Sequence, residues 1–168
     1  MPFMSAKRTF MGFTAAALAC LPWTGAEAQP RATATFSVTA NVTTTCNINS
    51  TTNINFGNYA GTVLTSTGTI QVTCSNAVPY NIGLNAGTGA GATVTARKMS
   101  GPAADLLSYG LFQDAAFATN WGNTIGTDTV PGTGTGAAQS YTVYGQLPAG
   151  QFVSPGTYDD TITTTLTF

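Results

Sequence analysis

Residues 32–42 alternate without a fault. Ala32, Ala34, Phe36, Val38, Ala40 and Val42 are apolar, and Thr33, Thr35, Ser37, Thr39 and Asn41 between them are polar. Successive side chains of a strand point to opposite faces, so a period of two builds one apolar row and one polar row. A chain that keeps returning to this period folds as sheet. Tyr80, Ile82 and Leu84 repeat it after Pro79, as do Leu107, Tyr109 and Leu111, and then Tyr141, Val143, Gly145 and Leu147. The last repeat sets Tyr158, Ile162, Thr164, Leu166 and Phe168 on one face and Thr161, Thr163, Thr165 and Thr167 on the other.

Shorter segments complete the pattern. Asn53-Ile54-Asn55-Phe56 alternates up to Gly57, residues 69–74 form a strand stopped by Ser75-Asn76, and residues 93–99 form another. Residues 114–139 carry much glycine and little periodicity, which predicts loop, with Trp121 as its anchor. Pro148-Ala149-Gly150 and Pro155-Gly156 turn the chain. Seven or eight short strands separated by turn residues predict an all-β fold, an antiparallel sandwich of immunoglobulin type. Abundant threonine, β-branched and strand-favouring, agrees.

The first 28 residues are different. Lys7 and Arg8 precede an apolar run from Phe10 to Pro22, broken only by Gly12 and Thr14, and Ala26-Glu27-Ala28 closes it. That order of charge, apolar run and small-x-small site is a secretory signal peptide, 1–28. The run is short for a bilayer span, and no second one follows, so no stable membrane insertion is expected.

Beyond the leader the bases are Arg31, Arg97 and Lys98, and the acids are Asp105, Asp114, Asp128, Asp159 and Asp160. No basic patch exists for nucleic acid. The chain has no histidine, and its one glutamate, Glu27, lies in the leader. His-based triads, histidine metal sites and Glu general acids are excluded, so no enzyme, cofactor or metal is expected. Asp159 and Asp160 read as caps of a turn rather than a catalytic pair. Arg97 and Lys98 read as a solvated strand end, and Trp121, Tyr141 and Tyr144 as packing residues rather than a sugar site. Cys46 and Cys74 are an even pair in an exported chain and read as one disulfide, closing a loop of roughly 28 residues. On pattern alone, residues 32–42 are an ordinary first strand packing in its own domain, since alternation marks burial without naming the chain that buries.

Several residues together resemble the spore coat protein U domain family, which includes subunits of archaic, Csu-type chaperone–usher pili. They are the alternating strand before Cys46, Asn55-Phe56-Gly57-Asn58-Tyr59, Ile70-Gln71-Val72-Thr73-Cys74 and Pro79-Tyr80. Further along come Arg97-Lys98-Met99, Leu107-Ser108-Tyr109, Thr142-Val143-Tyr144-Gly145 and Pro155-Gly156-Thr157-Tyr158-Asp159-Asp160-Thr161, and the chain closes on Phe168. Ala40 departs from the pattern, being small where a donor strand carries a larger apolar residue.

The resemblance implies an incomplete immunoglobulin-like pilin domain over 46–168, lacking its last strand, preceded by a donor-strand segment over 29–45. Phe36, Val38, Ala40 and Val42 would enter the groove of a neighbouring subunit, beside Ile162, Thr164, Leu166 and Phe168 of its last strand. Such donor-strand complementation is a form of β-augmentation. It further implies a periplasmic chaperone, an outer-membrane usher and neighbouring subunits as partners, passage through the periplasm to the cell surface, and a role in adhesion or biofilm. A spore or cell-surface coat protein is the alternative use of the same fold. A carbohydrate-binding module or tip adhesin fits less well, since a tip adhesin needs a receptor domain as well.

Overall fold

The computed structural model describes residues 29–168, so the signal-peptide reading of 1–28 lies outside the described residues. The chain divides into one unit ending at Ala40 and a second, Asn41–Phe168. Residues 29–40 belong to no strand or helix and are exposed.

The second unit is all-β, with eight strands among the described residues: β1 (Cys46–Thr51), β2 (Leu64–Cys74), β3 (Pro79–Leu84), β4 (Arg97–Ser100), β5 (Leu106–Phe112), β6 (Val130–Thr133), β7 (Ala138–Leu147) and β8 (Thr164–Thr167). They form two antiparallel sheets, ordered β1-β2-β7-β5-β4 and β6-β3-β8. An immunoglobulin sandwich faces an ABED sheet with a CFG sheet. Here β1, β2, β7 and β5 occupy the places of A, B, E and D, and β3 and β8 those of C and F.

The ladder of β2 with β7 is the backbone of the larger sheet, running from Leu64 opposite Leu147 to Thr73 opposite Ala138. Ile70, Val72, Val143 and Leu147 on its inner face meet Tyr80, Ile82 and Leu84 of β3 in the core. Trp121 anchors the 114–139 region as expected: it is 1% exposed, and its Nε1–H donates to the Ile82 carbonyl at 2.9 Å.

Five segments differ from the sequence reading. The last in the chain is the strand read over 158–168, which is confined to Thr164–Thr167 and leaves Ile162 and Phe168 outside it. β1 was not anticipated, because Cys46-Asn47-Ile48-Asn49-Ser50-Thr51 is rich in strand-poor asparagine. Pairing with β2 imposes it, with Cys46 opposite Cys74. Residues 53–56 alternate as read, with Ile54 and Phe56 against the core, yet lie outside any ladder. The strand expected over 93–99 is shifted to Arg97–Ser100, because Thr93 and Ala96 bridge across a tight turn. The 114–139 loop contains β6, whose Pro131 and Gly132 are tolerated on an edge strand that pairs only with β3.

The Cys46–Cys74 disulfide is formed, spanning 28 residues. Replacing both cysteines by serine is expected to cost about 3–4 kcal/mol in the chain-entropy account. Thermal unfolding of the folded protein measures it, and an unchanged midpoint contradicts it.

A groove between two open walls

β8 pairs with β3 along one edge only. Its other edge faces an open groove of about 1390 Å³, floored by Ile70, Leu84, Leu107, Leu111, Val143 and Leu147. One wall is β8 with the extended chain before it, including Val153, Tyr158, Ile162 and Thr164. The other is β1 with residues 52–61, including Ile48, Ile54 and Phe56. Between residues 53 and 58 no main-chain group bonds to another main-chain group among the described residues. Both walls therefore offer unpaired backbone beside apolar side chains.

Two glycines let the second wall fold inward. A Cβ on Gly68 would meet Ile54 Cγ1 at 2.9 Å, and one on Gly145 would meet Phe56 Cζ at 3.0 Å. Bare backbone at these inner positions of β2 and β7 leaves room for Ile54 and Phe56 to lie on the floor. Phe56 then meets Tyr109 edge-on, with ring centroids 6.3 Å apart.

A polar network braces the groove. Asp160 Oδ2 accepts from the Tyr109 hydroxyl at 2.7 Å. Asp160 Oδ1 accepts from the Thr88 N–H at 2.7 Å, the Thr88 hydroxyl at 2.8 Å and the Thr161 N–H at 2.7 Å. Burial pushes this carboxyl up, but the bonds from Thr88, Tyr109 and Thr161 outweigh it and hold the pKa below the usual range. Burial first, and then the Asp160 carboxylate, push the Tyr109 hydroxyl far up, so it stays a donor. Three of the four donors converge on Oδ1 and one reaches Oδ2, so the carboxylate is held as a structural acceptor. Against the expectation of turn caps, neither aspartate bonds through its side chain to the Pro155–Tyr158 turn. Asp160 ties Thr88 and Thr161, ahead of β8, to Tyr109 of β5, and Asp159 bridges Ser100 through its backbone.

Arg97 corrects the solvated reading. It is 0% exposed. Its Nε donates to Asn85 O at 2.9 Å, Nη1 to Val94 O at 2.7 Å, and Nη2 to Leu84 O at 3.1 Å and Trp121 O at 2.7 Å. Burial lowers its pKa, while Tyr109, Asp160 and Asp128 act the other way.

The residues expected at the site fall as follows. Phe36, Val38 and Val42 are 87%, 84% and 93% exposed, and Ala40 is exposed too. Ile162 and Thr164 line the groove, Leu166 packs on the core, and Phe168 is mostly exposed. Ile54, Phe56, Tyr109 and Asp160 were not foreseen as site residues, although the alternation ending at Gly57 was the signal for the first two. Tyr141 is half-buried, its hydroxyl 2.6 Å from that of Tyr80, and Tyr144 lies on the outer side of β7. Among the described residues no cluster of acids or cysteines is placed to hold a metal ion.

Because the Asp160 pKa is depressed, its contribution is complete above the unfolded value of about 4 and is lost as pH falls through the lower folded value. Asp160→Asn is expected to lower stability near neutral pH by about 1–3 kcal/mol, as charge-assisted bonds weaken, and to flatten the acid limb. Thermal midpoints from pH 7 to 3 test both; parallel curves for variant and wild type contradict the assignment.

Fold and groove together define an immunoglobulin-like sandwich with one sheet edge left open. The chain belongs to the Spore Coat Protein U domain family, whose model matches residues 32–165. It is 37% identical over 126 residues to Protein U of Myxococcus xanthus, covering 67% of this chain and 70% of that protein. Its fold is similar to a chain in the chaperone–tip adhesion subunit pre-assembly complex, CsuC–CsuE, of the archaic chaperone–usher Csu pili of Acinetobacter baumannii. There the TM-score is 0.54 at 23% identity, over 76% of this chain but only 40% of the matched one.

Proposed function

We propose that this protein is a structural subunit of a bacterial surface pilus, assembled by donor-strand exchange through a chaperone–usher pathway and serving adhesion or biofilm formation. The carrying observation is the pair of unpaired walls around an apolar groove, in a chain that also exposes an alternating segment. A strand laid in the groove would bond main-chain groups on both walls and set its apolar row on the floor. Residues 32–42 of a neighbouring copy meet that requirement, with Phe36, Val38, Ala40 and Val42 as the row. Until they arrive, the open edge invites aggregation, which gives a periplasmic chaperone its task and an outer-membrane usher the exchange. The likeness to a protein from a chaperone–subunit complex supports the reading of the fold.

Expressed alone, the exported chain is expected to aggregate, oligomerise or be degraded, whereas its cognate chaperone should hold it as a soluble one-to-one complex. A stable chaperone-free monomer with residues 32–42 open to protease contradicts the proposal. The family's description favours a second reading, a spore or cell-surface coat. Electron microscopy of cells with and without the gene separates filaments from coat.

A further inference from the structure

We propose that Phe152 and Val63 form a docking surface for the body of a second copy of this chain, seated on that copy's Cys46–Cys74 end. This rests on the donor-strand reading and adds a body-to-body contact to it.

The ends of β2 mark two poles about 33 Å apart. At the Leu64 pole, Phe152 is 93% exposed and Val63 53% exposed. Phe152 is not a loose loop residue. Before it, the Gln151 side chain accepts from Ser108 N–H at 2.7 Å and donates to Ser108 O at 2.8 Å. After it, Ser154 N–H donates to Asp105 Oδ2 at 2.8 Å. The backbone on both sides is pinned while the ring is held out in water.

At the opposite pole, Ser75 N–H donates to Thr45 O at 2.8 Å, and Cys46 is bonded to Cys74. The segment that leads back to residue 42 leaves there, beside the exposed apolar residues Ala77, Pro79 and Ala137. β8 runs toward this pole, since Thr167 pairs with Asn81 near the start of β3. If each copy gives its strand from one pole and receives at the other, the received strand runs antiparallel to β8. Its Val42 then ends at the Phe152 pole. Val42 and Cys46 are four residues apart, at most about 14 Å of chain. So short a connection brings the Cys46 pole of the incoming copy onto Phe152 and Val63. The contact is heterologous and propagates into a filament. One face is an exposed aromatic and the other a set of small apolar side chains, and the Asp105 carboxylate beside the first is held by Ser154 N–H.

The test places the photo-crosslinker p-benzoylphenylalanine at position 152 of the full chain, assembled with chaperone and usher. Irradiation is expected to give a ladder of covalent multimers that survives boiling, with adducts on residues 74–79 or 134–138 of another copy. Polymer that forms but crosslinks only to residues 32–44, or not at all, overturns the inference alone. Absence of polymer from the wild type overturns the donor-strand reading and this inference with it. In parallel, Phe152→Ser polymers are expected to dissociate roughly tenfold faster on heating, the low end of what one buried Phe side chain contributes. An unchanged rate counts against the contact.

Discussion

Val38→Asp is expected to abolish polymer while leaving the chaperone-bound subunit folded. Val38 lies near the middle of the apolar row and is 84% exposed, and in the donor-strand reading its own domain does not depend on it. In the donor-strand reading, burying Phe36, Val38 and Val42 contributes about 1.5–3 kcal/mol each, and Ala40 less. An aspartate at 38 removes one of these gains. It also sets a carboxylate without a cationic partner on a floor of Ile, Leu and Val, which costs several kcal/mol or forces protonation. Thr39→Asp, one residue away on the opposite face, is expected to be far milder. Pilus counts and chaperone pull-downs of the two variants decide. Normal assembly by Val38→Asp means that the strand is not the donor. Loss of the chaperone complex means that the strand belongs to its own domain.

Arg97→Met is expected to prevent accumulation of folded protein. The guanidinium fills a fully buried site and supplies donors to the carbonyls of Leu84, Asn85, Val94 and Trp121. Methionine fits the volume but donates nothing. The buried carbonyls of Leu84 and Trp121 cost about 1–3 kcal/mol each when left without a partner, and the half-buried ones of Asn85 and Val94 less. The sum takes much of the roughly 5–15 kcal/mol that holds a whole domain. Arg97→Lys is expected to rescue little, because one ammonium cannot reproduce the planar fork. The yield of chaperone complex reads the outcome. Wild-type yield from Arg97→Met would show that water or rearranged backbone satisfies the four carbonyls.

The two variants probe what lay on different sides of the line between local and long-range information. Strand character was legible in β2, β3, β5, β7 and β8 but not in β1 or β6, because an alternating row is a property of neighbouring residues and those two segments carry none. The disulfide was legible as well, since an even cysteine pair in an exported chain has few other uses. Residues 53–56 show where such reading stops: their alternation correctly puts Ile54 and Phe56 inward, but whether their backbone finds a partner depends on segments far away. β8 has the same ambiguity, for its sequence does not say that only β3 reaches it. Arg97 was misplaced for a related reason. A charged side chain looks solvated until four carbonyls from residues 84, 85, 94 and 121 converge on it, and no local pattern announces that convergence. Sequence by itself determined the sheet period, the core faces and the cysteine pair. The tertiary structure decided which edges stay open, which charge is buried and which exposed ring stands at a pole, because ladder pairing and desolvation are set by groups that meet only when the chain has folded.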